Sequence, residues 1–428
     1  MAKILVIGNA GREHAIVRAL SDDADVEHIY CAPGNGGTGS MPGVTNVRYT
    51  EQDEILKFVD EEKIDLIIIG PEKQLVEGMA NFFRSNGKKV FGFNKAAAAL
   101  EGSKIYAKEF MKKYSIPTAP FEVFSSYKRA YKYLRNQFDE KPGIKFFIKA
   151  DEICGGKGAI AAPDYESGKS ALHKLMIDQA CGKGAKVVIE EHIPGQEASI
   201  FVLTDGKTAV TLPPAQDHKR ALDNDEGLNT GGMGAYAPAA LVDEKVYARV
   251  EKEIILPTLV GMEQERIADS GILFIGLMID RKGKPYVLEY NVRFGDPETQ
   301  PLLSLLKSDL YPILNACAEG DLEEVELDWY EGAAVSVVAS VSGYPTRYNY
   351  QNEEIFGIAD AESLENVFIY HGDSSVREGH FFTNGGRIIT VTGVGKDIKT
   401  AQKLAYKAMS KIEFRGMHYR KDIASKAL

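Results

Sequence analysis

The feature that most constrains this fold is the regular alternation of short apolar runs with helical patterns across the first hundred residues. Residues 3–8 read as a fully buried strand entering a glycine turn, and residues 13–20 as a helix. A second strand spans 26–31, a helix 53–63, and another buried strand 65–69, ending at Gly70-Pro71. Val76, Met79, Ala80 and Phe83 then fall at helical spacing, Gly87 stops that helix, and 90–93 closes the set. Alternation of this kind predicts an α/β fold with a doubly wound parallel sheet, whose ligands sit at the carboxyl ends of its strands.

The rest of the chain divides by the same reading. Residues 101–124 open a new unit with a helix at 103–114. Residues 125–195 form a compact insertion with helices at 127–136 and 167–178 and strands at 145–150 and 186–190. Residues 196–328 return to a larger α/β body, in which 272–280 and 285–291 flank a hairpin turn at Arg281-Lys282-Gly283-Lys284. Residues 329–428 make a small α+β domain with strands at 333–342 and 387–394 and a closing helix at 398–412.

Composition excludes several classes. A chain of 428 residues with a net charge of −10 holds several domains and offers no broad surface to neutralise nucleic-acid phosphates. Four cysteines lie far apart with no CxxC pair, which argues against a disulfide framework or a zinc site and for a reducing cytosol. The N-terminus is too short and too lightly charged to be a signal peptide. No apolar run approaches the ~20 residues that span a bilayer. A soluble cytoplasmic protein with no membrane contact is therefore expected.

Five stretches carry candidate chemistry. In the strand at 285–291 alternation puts Glu289 and Asn291 on one face. A carboxylate and an amide oxygen two apart can hold a magnesium ion that keeps its waters and shares nucleotide phosphates. Arg293 follows, suited to a forked contact with phosphate oxygens. Ordinary solvated polar residues at a strand end are the alternative, against which the continuation through Asp296 and Glu298 weighs. Second, Lys149 ends a strand before Gly155-Gly156-Lys157-Gly158, a loop whose amides can approach phosphate while lysine supplies charge. Many glycine loops are plain turns, and this one is not a Walker A loop. Third, an apolar run reaches Glu190-Glu191-His192-Ile193, with Glu197 beyond; it suits an adenine hinge, although taken alone it fits an exposed charged strand end better.

Fourth, Gly8-Asn9-Ala10-Gly11-Arg12-Glu13-His14 is a strand-to-helix turn whose free amides can take phosphate. It lacks the full GxGxxG fingerprint, which disfavours a dinucleotide oxidoreductase. His14 is either a base or a helix-surface histidine. Fifth, the polar run from Gln216-Asp217-His218-Lys219-Arg220 to Gly231-Gly232 is a functional loop or a mobile solvated one. His28, His173, His371, His380 and His418 have no ligand-like spacing and read as structural or surface residues, and Trp329 as packing at a domain junction.

Together these stretches resemble the ATP-grasp superfamily and, more narrowly, the phosphoribosylamine–glycine ligase (glycinamide ribonucleotide synthetase) family. The resemblance covers essentially the whole chain, through VIGNAGREHA, IIIGPE, LEGSK, IKAD, GGKG, VVIEEHIPGQEAS, QDHKR, NTGGMGAY, RFGDPETQ and TNGGR. Of these, RFGDPETQ and NTGGMGAY are the most specific. It implies a pre-ATP-grasp domain at 1–100, an ATP-grasp core at 101–124 and 196–328, a lid at 125–195 and a C-terminal α+β domain at 329–428.

The resemblance also implies a reaction: ATP-dependent ligation of glycine to 5-phosphoribosylamine, by way of glycyl phosphate, in de novo purine biosynthesis. Glu289 and Asn291 would then be ligands of Mg2+ or Mn2+. Lys104, Lys149 and Gly155-Gly156-Lys157-Gly158 would meet the phosphates of ATP, Glu190, Glu191 and Ile193 its adenine, and Glu197 its ribose. Gly8, Asn9, Gly11, Arg12, Glu13, Asp217, Lys219, Gly232, Asp296 and Glu298 would lie on the substrate side, and Arg293, Lys157 and Asp217 would be catalytic. Small-molecule substrates and a monomer are implied, with no nucleic acid and no membrane. One departure concerns the lid: DEICGGKG, with Glu152 and Cys154, stands where the family has a DGLAAGKG-like segment. The rivals are an ATP-grasp carboxylase using bicarbonate and a regulatory nucleotide-binding protein with a decayed site. Joint retention of Glu289, Asn291, Arg293, Lys149 and Lys157 argues against decay.

Overall fold

A computed structural model describes residues 1–152, 158–182 and 186–428; Gly155, Gly156 and Lys157 of the expected phosphate loop, and Cys154 beside them, lie outside the described residues. The N-terminal sheet has five parallel strands, arranged Val44–Asn46, Val26–Pro33, Ala2–Gly8, Leu66–Ile69, Val90–Phe91. The order reverses at Ala2–Gly8, so a crevice opens at its carboxyl end, where the helix Gly11–Ser21 begins. Leu5 and Ile7 pack into one core and Ile4 and Val6 into another. Burial on both faces is why this strand reads as an unbroken apolar run. The helix expected before Gly87 is two, Glu72–Glu77 and Met79–Ser85, because Gly78 at φ 95° turns the chain out of the right-handed helix.

A four-stranded antiparallel sheet forms the central body, in the order Ala209–Thr211, Gln196–Thr204, Gly271–Ile279, Pro285–Asn291. Its two faces share the two N-terminal cores: Ile200, Val202 and Leu273 join Leu5, while Phe201, Leu203 and Phe274 join Ile4. The two sheets therefore stand as one packed unit. The insertion differs. Its sheet (Phe121–Phe124, Val187–Glu191, Phe146–Ala150, Ala159–Ala162) and its helices Tyr127–Glu140 and Tyr165–Met176 surround a separate core that includes Leu134, Ile148 and Leu172. Phe121–Phe124 belongs to this sheet through its pairing with Val187–Glu191, although it precedes residue 125.

The C-terminal sheet is not built from C-terminal residues alone. Ala333–Val341, Arg387–Gly395 and Val367–His371 are extended by Gly234–Ala237 and Gln216–Asp217 from the central segment. With the pair Arg220–Leu222 and Glu226–Asn229, these strands replace the solvated loop considered for this stretch. Asp217 is thus held in a sheet. Cys31 and Cys317 are free and buried, whereas Cys181 is disulfide-bonded, which corrects the expectation drawn from cysteine spacing. Among the described residues no helix is long and apolar enough to cross a membrane.

Candidate active site

The N-terminal crevice, the central sheet, the lid and the C-terminal sheet enclose a cavity of about 1150 Å³. On one side stands Glu190, at the end of a lid strand and 2% exposed, so it is no solvated strand end. Its two oxygens meet two lysines: Oε1 pairs with Lys149 Nζ, and Oε2 lies 2.7 Å from Lys108 Nζ. Burial opposes charge on Glu190, but Lys149 and Lys108 outweigh it and hold the carboxyl below its usual range. Lys108 also donates to Thr118 Oγ1 at 2.7 Å. Lys104 opens the helix Lys104–Lys113, whose N-terminus is tied to the lid: Asp151 Oδ1 accepts from Ser103 Oγ and from the Ile105 amide, each at 2.8 Å. An acidic side chain at a helix N-terminus is favourable. Glu191 and Ile193 fall outside the cavity wall; Glu191 points away, 3.0 Å from Lys141.

Glu289, Asn291 and Arg293 reach the cavity from the central sheet. Burial raises Glu289, yet Lys219, Lys104, Lys149 and Arg293 bring its carboxyl down to about 2, so it is ionised. Lys219 sits 3.6 Å from Glu289 and 3.4 Å from Glu197 and stays charged. Arg293 is clasped by Glu101 at 3.0 Å and Glu72 at 3.4 Å, and it donates to Asn291 Oδ1 at 3.1 Å. Asn291 Nδ2 is buried without a partner among the described residues.

The opposite side has the reverse electrostatics. Asp217 Oδ1 is shut off from solvent and has no hydrogen-bond partner among the described residues. Burial, then the neighbouring Glu298, push the Asp217 carboxyl well above its usual value. Glu298 is 2% exposed, accepts from Ser199 Oγ at 3.3 Å, and is itself raised by burial. Gly232 is required here, because a Cβ would fall 2.3 Å from Pro297 Cδ and 2.9 Å from Asp217 Oδ1. Asp296 is held by Arg387, with Nη2 2.8 Å from Oδ2, and by Gln300 Nε2 at 2.7 Å.

The Gly8 turn contributes Asn9, Arg12 and Glu13 to the cavity wall. Glu13 Oε2 accepts from the Ala10 amide at 2.7 Å and Oε1 from Arg12 Nε at 2.6 Å, so this acid caps its own helix and orients Arg12. The side chain fills the space beside Gly8, where a Cβ would fall 2.5 Å from Glu13 Cγ. Gly11 meets Gln300, so it brings the helix start against the 296–300 turn. His14 is not on the helix surface. It is buried, its Nδ1 accepts from the His371 amide at 2.8 Å, and burial with His371 and Arg18 lowers its pKa well below 6.5. It joins the N-terminal and C-terminal sheets and does not line the cavity.

The whole chain is similar to known proteins. Models of the phosphoribosylglycinamide synthetase N domain, ATP-grasp (A) domain and C domain match residues 2–101, 102–299 and 334–426. The chain belongs to this family. A phosphoribosylamine–glycine ligase of Neisseria meningitidis serogroup B is 43% identical over 427 residues, covering 100% of this chain and 99% of that one. The crystal structure of phosphoribosylamine–glycine ligase from Thermotoga maritima is 35% identical, with a TM-score of 0.84 over 99% of this chain and 100% of that one. The biotin carboxylase domain of a Hydrogenobacter thermophilus carboxylase, in complex with MgADP, shares the fold at 15% identity, with a TM-score of 0.72 over 98% of this chain and 91% of that one.

Within this phosphoribosylglycinamide synthetase chain the donor set fits a hard divalent cation. Glu289 is an ionised oxygen donor, and Asn291 two residues on carries a second oxygen, Oδ1, which here accepts from Arg293. Among the described residues no group of three or more His, Cys, Asp or Glu is placed to hold a metal alone. Sequence reasoning missed Lys108, Glu72, Glu101 and Arg387. Lys108 had a usable signal, since it lies one helical turn beyond Lys104. The others lie within IIIGPE, LEGSK and TNGGR, stretches quoted for the resemblance, but no spacing in the sequence shows that they meet at the cavity.

Proposed function

We propose that this chain ligates glycine to 5-phosphoribosylamine using ATP, giving glycinamide ribonucleotide, ADP and phosphate in purine biosynthesis. The observation that carries the reading is the two-sided cavity: Glu190 and Glu289 stand against lysines on one side, and Asp217 Oδ1 is buried without a hydrogen-bond partner among the described residues on the other. Lys104, Lys149 and Lys157 take the ATP phosphates, the Glu190 segment its adenine, and Glu197 its ribose. Asp217 and Glu298 receive the ammonium of glycine, which supplies the positive charge that this side lacks. Asn9, Arg12 and the Gly8 turn face the phosphoribosylamine.

An oxygen of the glycine carboxylate attacks the γ-phosphorus, and the bond from that phosphorus to the bridging oxygen breaks, releasing ADP. The amine of phosphoribosylamine then attacks the acyl carbon of glycyl phosphate, the acyl C–O bond breaks, phosphate leaves, and the amine loses its proton. Arg293, fixed by Glu72 and Glu101, and the lysines stabilise the charge on the transferring phosphoryl group. Glu289 and Asn291 would hold a divalent cation, Mg2+ or Mn2+, which would supply further neutralisation of phosphate charge. The lid packs around its own core, which suits closure as a body and exclusion of water from the acyl phosphate. A cytoplasmic monomer acting on small molecules, with neither nucleic acid nor membrane as partner, completes the proposal. It is tested by ADP release with freshly formed phosphoribosylamine, comparing glycine with alanine, serine and bicarbonate. Release should depend on glycine; release that depends on bicarbonate would assign the chain to the carboxylases.

A further inference from the structure

The TNGGR motif lies some ninety residues beyond the last strand of the central sheet, yet its arginine ends inside the cavity wall. Arg387 is the first residue of the strand Arg387–Gly395. Its guanidinium makes no hydrogen bond within its own domain among the described residues. Nη1 donates to the carbonyls of Gly231 and Asp296, each at 2.7 Å, with Gly232 O at 3.5 Å, and Nη2 donates to Asp296 Oδ2 at 2.8 Å. Tyr344, from the same domain, accepts the Gly231 amide on its hydroxyl at 3.0 Å. Two C-terminal side chains thus grip the 229–232 loop, and one of them also grips the 296–298 turn.

Asp217 borders these gripped segments at Gly232. A Cβ on Gly232 would fall 2.3 Å from Pro297 Cδ and 2.9 Å from Asp217 Oδ1, so the loop packs against both the turn and the carboxyl. A shift of either segment by a few tenths of an ångström must move Asp217 or open a gap beside it. The three motifs of the sequence meet here: NTGGMGAY supplies the loop, RFGDPETQ the turn, and TNGGR the clamp.

We propose that Arg387 is a positioning residue for the amino-acid half of the reaction, acting through Gly231-Gly232 and Asp296-Pro297 to set Asp217 and Glu298. It does so as a planar fork: one nitrogen spans two backbone carbonyls while the other fixes a carboxylate, a geometry that a lysine ammonium cannot copy. The C-terminal domain then acts as the frame of the substrate side and not as an appendage. This rests on the assignment of glycine to Asp217 and Glu298.

The test uses the full-length enzyme with Arg387→Gln, Arg387→Lys and Tyr344→Phe, measuring KM for glycine, phosphoribosylamine and ATP separately. Loss of a charge-assisted buried hydrogen bond corresponds to about tenfold or more. The glycine KM should rise by about that factor in Arg387→Gln and less in Arg387→Lys, while the ATP KM changes by less than about twofold. Tyr344→Phe should shift the glycine KM in the same direction by about threefold, the size of a single neutral hydrogen bond. Hydrogen exchange, which needs no substrate, should quicken at 229–232 and 294–299 in Arg387→Gln and stay unchanged at 104–113. Should Arg387→Gln fail to fold, the lysine and phenylalanine variants decide alone. Equal rises in the glycine and ATP constants, a rise confined to phosphoribosylamine, or unchanged exchange at both segments would overturn the proposal. Loss of glycine dependence in the unsubstituted protein would overturn the functional reading, while the exchange result would still judge the clamp.

Discussion

The two walls of the cavity handle acidic groups in opposite ways. On the nucleotide side Glu190 and Glu289 have their cations in place: Glu190 has Lys108 and Lys149, and Glu289 has Lys219, Lys104, Lys149 and Arg293, which bring it to about 2. On the substrate side Asp217 and Glu298 are driven up by burial, and Lys219, with Arg387 at Asp217 and Arg293 at Glu298, only partly offsets that cost. The first wall is charge-balanced before anything binds. The second keeps a buried carboxylate oxygen, Asp217 Oδ1, without a hydrogen-bond partner among the described residues, a place suited to a cationic group. Preorganised cations suit the polyanion ATP, and an unmet acid pair suits an ammonium, so the contrast separates the two substrates without reference to shape.

The comparison breaks most visibly at Glu289. Glu289→Ala removes the ionised donor shared by metal and phosphates, and turnover should fall by about a thousandfold, with the fold retained. Initial rates over a magnesium titration check this, and a near-normal rate at low magnesium would defeat the metal assignment. Next comes Lys108→Met. With both partners buried, removing one leaves Glu190 short of charge, and stability should fall by about 3 kcal/mol with a raised ATP KM and an unaltered glycine KM. Denaturant melts and paired KM values measure both.

A smaller effect of opposite sign is expected across the cavity. Asp217 is raised in the folded protein, so the stability tied to its proton is fully present below its ordinary value of 3.8 and is lost as pH climbs through the raised value. Asp217→Asn should therefore stabilise the free protein at neutral pH, by about 2 °C for each kcal/mol relieved. The gain should shrink as pH falls toward 3.8. Glu289 runs the other way: its contribution is present above its ordinary 4.5 and disappears as pH falls toward about 2. Melting temperatures of the variants against pH separate the two walls. Least of all should Glu191→Gln matter: it pairs with exposed Lys141 outside the cavity, and the ATP KM should move by less than about twofold.

Most of the nucleotide wall was legible in the sequence because its residues sit on regular elements. Alternation aimed Glu289 and Asn291 to one face, and an apolar run delivered Glu190 to the end of a buried strand. The fold's alternating first hundred residues were readable for the same reason. The substrate wall was not. Gln216–Asp217 and Gly234–Ala237 are too short for periodicity, and their partner strand Ala333–Val341 lies a hundred residues away, so they passed as a loop. Glu13, expected on the substrate side, lines the cavity, but no local pattern reveals that it also reaches back to the Ala10 amide. His14 gave no hint of burial until the C-terminal strand Val367–His371 packed over it. Helix periodicity did not reveal Gly78, whose positive φ splits one expected helix into two.

The central claim is that the two walls serve different substrates. The most direct measurement is the pair of Michaelis constants, for glycine and for ATP, in Asp217→Asn. The account predicts that the glycine constant rises by about tenfold or more while the ATP constant stays within about twofold. Equal increases in both, or a change confined to ATP, would contradict it.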